Sequence, residues 1–241
     1  MSGNLDVQNM RRIVCLANSR KPDGRCVAGK LYAQGKFGAW LRPISFREGE
    51  ELSEQERHIS RGVEPALLDV LEFAVSKHKP SAHQPENFTI NPQHKFRKVG
   101  RISAEELLKV IDKPTNLWIM GYQSKTFGKN DIVPPDRISE VSNSLYLINP
   151  YTFTIQVVQR INSLQVRGQF SHLGADYNLR ITDPIVEERF IPKGVGEYKI
   201  NDVLLTISLA EKLFTVASNP SSSGYYKLIA GVIDISSLGR K

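Results

Sequence analysis

Residues 11–42 read RRIVCLANSRKPDGRCVAGKLYAQGKFGAWLR, and three short β-type runs are legible in them. RIVCLA (12–17) is apolar and rich in β-branched residues, which predicts a buried strand. Pro22, Asp23 and Gly24 then form a turn signal. RCVAGKL (25–31) predicts a second strand with Gly29 as a bulge position, and GAWLRPI (38–44) a third that Pro43 ends or places at an edge. The same stretch holds Arg11, Arg12, Arg20, Lys21, Arg25, Lys30, Lys36 and Arg42 against one acid, Asp23. That balance of +7 equals the formal net charge of the whole chain, so the remaining residues cancel. A sheet face carrying these cations and the ring of Trp40 is a surface for a polyanion, and nucleic acid is the commonest such partner.

Downstream, Ser53 followed by Glu56 fits a capping box and a short surface helix. LLDVLEFAV (67–75) reads as a strand. Residues 77–98 read as loop, with a strand resuming near Phe96. SAEELLKVI (103–111) is the clearest helix: Ser103 and Glu106 cap it, and Leu107, Leu108 and Ile111 give it an apolar face. Residues 116–137 read as a loop anchored to a core by Trp118, Tyr122 and Phe127. After Ser144 the pattern is β-rich, with strands expected over 145–158, 164–170, 175–182, 197–200, 203–208 and 225–235 and a flexible loop over 217–224. Many short strands separated by turn residues point to a barrel or sandwich. The two halves also share a motif, WLRPIS (40–45) and LRITDPI (179–185), which fits two small barrels of one type.

Composition excludes several classes. An apolar fraction of 40% and a charged fraction of 24% describe a globular chain rather than a disordered one. No apolar run is long enough to span a bilayer, and residues 1–12 lack the apolar core of a secretion signal, so a soluble cytoplasmic protein with no membrane partner is expected. The two cysteines, Cys15 and Cys26, read as reduced thiols. His58, His78, His83, His94 and His172 have no zinc spacing relative to them, so no metal is expected. The glycines at 24, 29, 35 and 38 match no phosphate-binding or dinucleotide loop, and no cofactor is expected. Asp176, Asp183, Glu187 and Glu188 are carboxylates of the kind that hold magnesium, but they lack nuclease spacing, and Asp183 before Pro184 reads as a turn residue. The chain is therefore expected not to be an enzyme, a metal-dependent nuclease being the weakest alternative.

Several of these runs resemble one known family. IVCLANSRK (13–21), GRCVAG (24–29), WLRPIS (40–45), LLDVLEF (67–73), QPENF (84–88), NSLYLI (143–148), VRGQF (166–170), GADYNLRITDP (174–184) and YYKLIAGVI (225–233) occur in the order seen in dual OB-domain proteins. These are bacterial proteins, many from genomic neighbourhoods linked to conflict and defence systems. The resemblance implies a mainly β chain with α elements (α+β). It would be built as two consecutive OB-like barrels over 11–144 and 145–241, the first with a long insert between about residues 46 and 98 and a short helix. It also implies nucleic-acid binding, with single-stranded DNA or RNA favoured and a protein partner from the same operon as a further expectation.

Such barrels bind single strands across strands 2 and 3 through cations and stacking rings. That points to Arg25, Lys30, Trp40 and Arg42 on those strands, with Arg20 and Lys21 on the preceding loop. Lys95 and Arg97 would extend the groove, within a basic cluster that also holds Lys77, Lys79, Lys98 and Arg101. Arg167, Tyr177 and Arg180 would act in the second half. The competing assignments are a core role for Trp40, a salt bridge for Arg42 and a half-buried structural Tyr177. A protein-interaction or nucleotide-sensing module is the alternative function.

Overall fold

The computed structural model describes residues 9–81, 83–124, 127–215 and 223–236. They form two compact units, Met1–Leu107 and Leu108–Lys241.

In the first unit β1 (Met10–Lys21), β2 (Gly24–Ala33) and β3 (Lys36–Ile44) form an antiparallel meander. Gln34 and Gly35 turn the second hairpin, both at positive φ (51° and 75°), the geometry whose twist matches the flanking strands. A bulge between Cys15 and Ala17 lets β1 serve two neighbours. Its later half pairs with β2 and its first half with β4 (Asp69–His78). β5 (Asn87–Ile90) runs antiparallel to β4 and parallel to β3, which closes a five-stranded barrel in the order β1-β2-β3-β5-β4-β1. β6 (Arg97–Arg101) adds to β4 outside the ring, exposed throughout. Ile13, Cys15, Val27, Leu41, Leu71, Phe73, Ile90 and Phe96 fill the interior, with Phe73 and Phe96 stacked at 4.5 Å.

The insert is shorter than expected, because β4 and β5 lie within residues 46–98 and only residues 45–68 separate β3 from β4. Within it α1 (Glu54–Arg57) carries the expected capping box: Glu56 accepts from both the backbone N–H and the hydroxyl of Ser53 at 2.8 Å. The expected helix over 103–111 is α2 (Ala104–Leu107) followed by a 3₁₀ turn.

The second unit follows the same path. β8 (Leu145–Ile148) and β9 (Thr152–Gln159) act as one strand broken at Pro150. β8 pairs with β13 (Val203–Leu209), and β9 pairs with β10 (Leu164–His172), which pairs with β11 (Ala175–Ile181). β14 (Tyr225–Asp234) then lies parallel to β11 and antiparallel to β13. This repeats the meander and the parallel closing pair of the first barrel. α3 (Pro184–Phe190) bridges β11 to β12 (Gly196–Lys199), an outer strand on β9. β7 (Ile132–Val133) pairs with the start of β14. The division between units falls at 107/108 rather than 144/145, because Leu117, Trp118, Val133 and Val141 pack into the second core. The loop expected over 217–224 falls mostly outside the described residues. Among the described residues no helix is long and apolar enough to cross a membrane.

Candidate nucleic-acid interface

The structure separates the expected contact residues into surface groups and internal ones. Arg20 is exposed on β1, directly opposite the half-buried Arg25 of β2, and Lys21 stands at the turn between them. Lys95 and Arg97 are exposed, as is Arg180 on β11. Trp40 is half-buried. Its ring lies 5.5 Å from the Nζ of its cross-strand neighbour Lys30, which is itself buried.

Arg42, Arg167 and Tyr177, like Lys30, are buried in the structure, and the first three have internal partners. Arg42 sits in the half of β3 that is buried on both faces, where it meets Glu86 at 3.0 Å and donates to Asn87 Oδ1 at 3.1 Å. Arg167 donates to Asn178 Oδ1 at 2.7 Å, to the Asn178 carbonyl at 2.6 Å and to Gln165 at 3.0 Å. Tyr177 points into the second core and stacks on Phe170 at 5.1 Å. An open phosphate or base site cannot use these groups as they stand.

A cluster of exposed cations lies on β1, β4 and β6. Register places Arg12, Glu72 and Arg97 in one row across the three strands. Glu72 accepts from Arg12 Nε at 2.7 Å and lies 3.5 Å from Arg97. Asp69 lies three residues back on β4, in phase with Leu71 rather than Glu72 and so on the other side of the strand, where it holds Lys98 at 2.7 Å and Arg101 at 2.8 Å. The carboxylates are buried (side chains 10% and 2% exposed), while the four cations are 41–70% exposed. Two buried acids thus orient four exposed cations, two on each side of the β4–β6 pair, and leave this edge of the sheet net positive. The tip of the β2–β3 hairpin lies beyond the Ile13–Leu31 pair, at the same end of β1. It carries two rings that sequence reasoning passed over, Tyr32 and Phe37, packed edge to face at 5.0 Å. Their signal was available as two aromatics flanking a Gln-Gly turn.

The second barrel holds an internal charge cluster. Asp131 accepts from the backbone N–H of Ser124 at 2.7 Å and from its hydroxyl at 2.5 Å, and Arg167 lies 3.6 Å from the same carboxylate. Lys227, fully buried, donates from Nζ to the Ile119 carbonyl at 2.5 Å and lies 5.7 Å from the Tyr177 ring centroid. Burial pushes the Lys227 ammonium down to about 7, against the pull of Asp131, and lowers the Arg167 guanidinium as well.

The carboxylates weighed as metal ligands have other partners. Asp176 meets Lys129 and Ser171, and Asp183 caps α3 by accepting from Ile185 N–H at 3.0 Å. Among the described residues no group of three or more His, Cys, Asp or Glu side chains is placed to hold a metal.

No curated protein matches the chain. A solved structure described as the Ifi202 HINa domain in complex with 20bp dsDNA aligns at 9% identity and a TM-score of 0.29, covering 90% of this chain and 95% of that one. At that level of likeness the DNA in that complex carries no argument about this chain. A family model described as the dual OB-containing domain matches residues 11–232, across both barrels, and the chain belongs to that family.

Proposed function

We propose that the protein binds nucleic acid without catalysing a reaction, through the positive β4–β6 edge of the first barrel, where the exposed cations flank the outer strand. The observation that carries this is the set Arg12, Arg97, Lys98 and Arg101 arranged around buried Asp69 and Glu72. Surface ion pairs of this kind add little stability. Their effect here is to hold guanidinium and ammonium groups outward at fixed spacing, so phosphate contacts form with less ordering of the side chains. Tyr32 and Phe37 supply rings on which unpaired bases stack, which favours single strands. The family resemblance supports an accessory role in bacterial conflict or defence, in the cytoplasm, beside a protein partner from the same operon.

The test is fluorescence anisotropy of labelled single-stranded DNA, single-stranded RNA and duplex DNA at several salt concentrations. Four phosphate contacts on a single strand give a log–log salt slope of about −3. Arg97→Ala with Arg101→Ala leaves Arg12 on Glu72 and Lys98 on Asp69, so the barrel keeps its ion pairs. This double variant should bind about tenfold more weakly or worse, whereas Lys109→Ala should not change affinity. Absence of binding at low salt, or equal losses in the two variants, would overturn the proposal.

A further inference from the structure

We infer that the Asp131 carboxylate occupies, from within the same chain, a phosphate site formed by Ser124, Arg167 and Lys227 at the β11–β14 seam of the second barrel. This goes beyond the first-barrel edge and does not rest on it.

The first argument is the donor set. A backbone N–H, a hydroxyl and a guanidinium converge on one carboxylate, and Lys227 is tied to the same residue by its backbone N–H, which donates to the Asp131 carbonyl at 2.8 Å. These are the groups that recognise phosphate oxygens. The second is charge. Buried Arg167 and Lys227 have one buried anion between them, so whenever Lys227 holds its proton one positive charge is uncompensated. A phosphate monoester, with up to two negative charges, matches that pair better than a carboxylate does.

The third argument is the backbone. β11 and β14 pair directly only at Arg180–Leu228 and Ile181–Ile229. Elsewhere the seam is filled from residues 128–133. Lys129 bridges to Asn178 of β11, while Ile132 and Val133 pair with Tyr226 and Tyr225 of β14. The chain supplies its own strand where an extended ligand would pair. The outer end of that strand is held by the half-exposed Lys129–Asp176 pair at 2.8 Å, a weak anchor. The seat is also tight. A Cβ on Gly128 would lie 2.2 Å from Asp131 Oδ2, so any larger residue there displaces the carboxylate.

The ligand chemistry is a phosphate group, either free or in a sugar–phosphate backbone. The experiment uses the full chain carrying Arg97→Ala and Arg101→Ala, so that first-barrel binding does not contribute. Into it are placed Asp131→Asn, which removes the anion, or Gly128→Ala, which keeps the charge but dislodges it. Thermal unfolding is followed with roughly 10 mM inorganic phosphate against chloride at equal ionic strength, and separately with an unlabelled oligothymidylate. The parent should be indifferent to both probes. Each variant should gain about 3 °C or more with at least one of them, and adding Arg167→Gln should abolish the gain. Stabilisation by inorganic phosphate identifies a free-phosphate site, and stabilisation by the oligonucleotide alone identifies a backbone site. If Asp131→Asn does not fold, Gly128→Ala decides alone. Neither probe stabilising a folded variant more than the parent would overturn the inference, whatever the first barrel binds.

Discussion

The second strand of each barrel carries the same frame, VAGKL (27–31) in the first and VRGQF (166–170) in the second. In both the glycine faces a leucine of the third strand, Gly29 opposite Leu41 and Gly168 opposite Leu179. Both glycines are tightly approached: a Cβ would fall 1.9 Å from the Val14 carbonyl oxygen in one and 2.4 Å from Ile229 Cδ1 in the other. The arginine after that leucine then meets two fates. Arg42 is buried on Glu86, which arrives just before β5, while Arg180 is exposed. One position before the glycine the roles reverse, with Ala28 in the first barrel and buried Arg167 in the second. A shared backbone frame therefore does not fix where charge goes. The location of the partner acid does, and the second barrel takes its acid from the segment that precedes it.

The sharpest break of this contrast is Asp131→Ala. It strands Arg167 and Lys227 inside the second barrel and should cost about 4 kcal/mol in urea unfolding. Asp69→Ala in the first barrel frees half-exposed cations that rehydrate, and should cost about 1 kcal/mol. Equal costs would show that exposure of the cations is not what separates the barrels. Next in size, Arg42→Ala leaves Glu86 buried without its cation and should cost about 3 kcal/mol. Its counterpart Arg180→Ala should be indistinguishable from the parent, and a matching loss would erase the distinction between the two arginines.

A pH series gives a smaller, graded effect. Folded Lys227 loses its proton near pH 7, while the unfolded chain holds it into the ordinary lysine range. The groups near it are Asp131, Arg167, Tyr177 and the Ile119 carbonyl. Above pH 7 the unfolded state binds more protons, so this group's contribution to stability rises with pH, by at most about 1.4 kcal/mol per unit; below pH 7 its contribution is flat. Denaturant unfolding at successive pH values should show the slope in the parent and lose it in Lys227→Met. A slope unchanged by that substitution would assign the effect elsewhere.

Much of the first barrel was legible because β1, β2 and β3 are uninterrupted β-type runs between strong turn residues. The capping box at Ser53 and the bond from the Ser103 backbone N–H to Glu106 were legible from spacing alone. β5 was missed because its four residues are too few to show a period. α3 was missed although its signals stood in the sequence: Asp183 caps it and Pro184 opens it, yet Asp-Pro serves turns equally well. The compact units divide at 107/108 and not at the expected 144/145, because an irregular segment such as residues 116–137 has no periodicity to say which core its aromatics enter. Of the interface residues, Arg20, Lys21, Arg25, Trp40, Lys95, Arg97 and Arg180 reach the surface at least in part. Lys30, Arg42, Arg167 and Tyr177 do not. The burial of the two arginines depends on Glu86 and Asp131, partners 44 and 36 positions away, and residue type alone cannot show it.

The broken strand at Pro150 and the late position of β14 bear on how the chain is made. The first ring has all five of its strands once Ile90 has left the ribosome. The second cannot close until β14, which joins β11, β13 and β7 and brings Lys227 with it. Synthesis is slow relative to the folding of a small domain, so the N-terminal barrel can be finished while its neighbour is still waiting. A fragment ending at Leu107 should resist proteolysis, and one spanning residues 108–224 should be digested throughout. The reverse pattern would mean that the first barrel needs the second as a template.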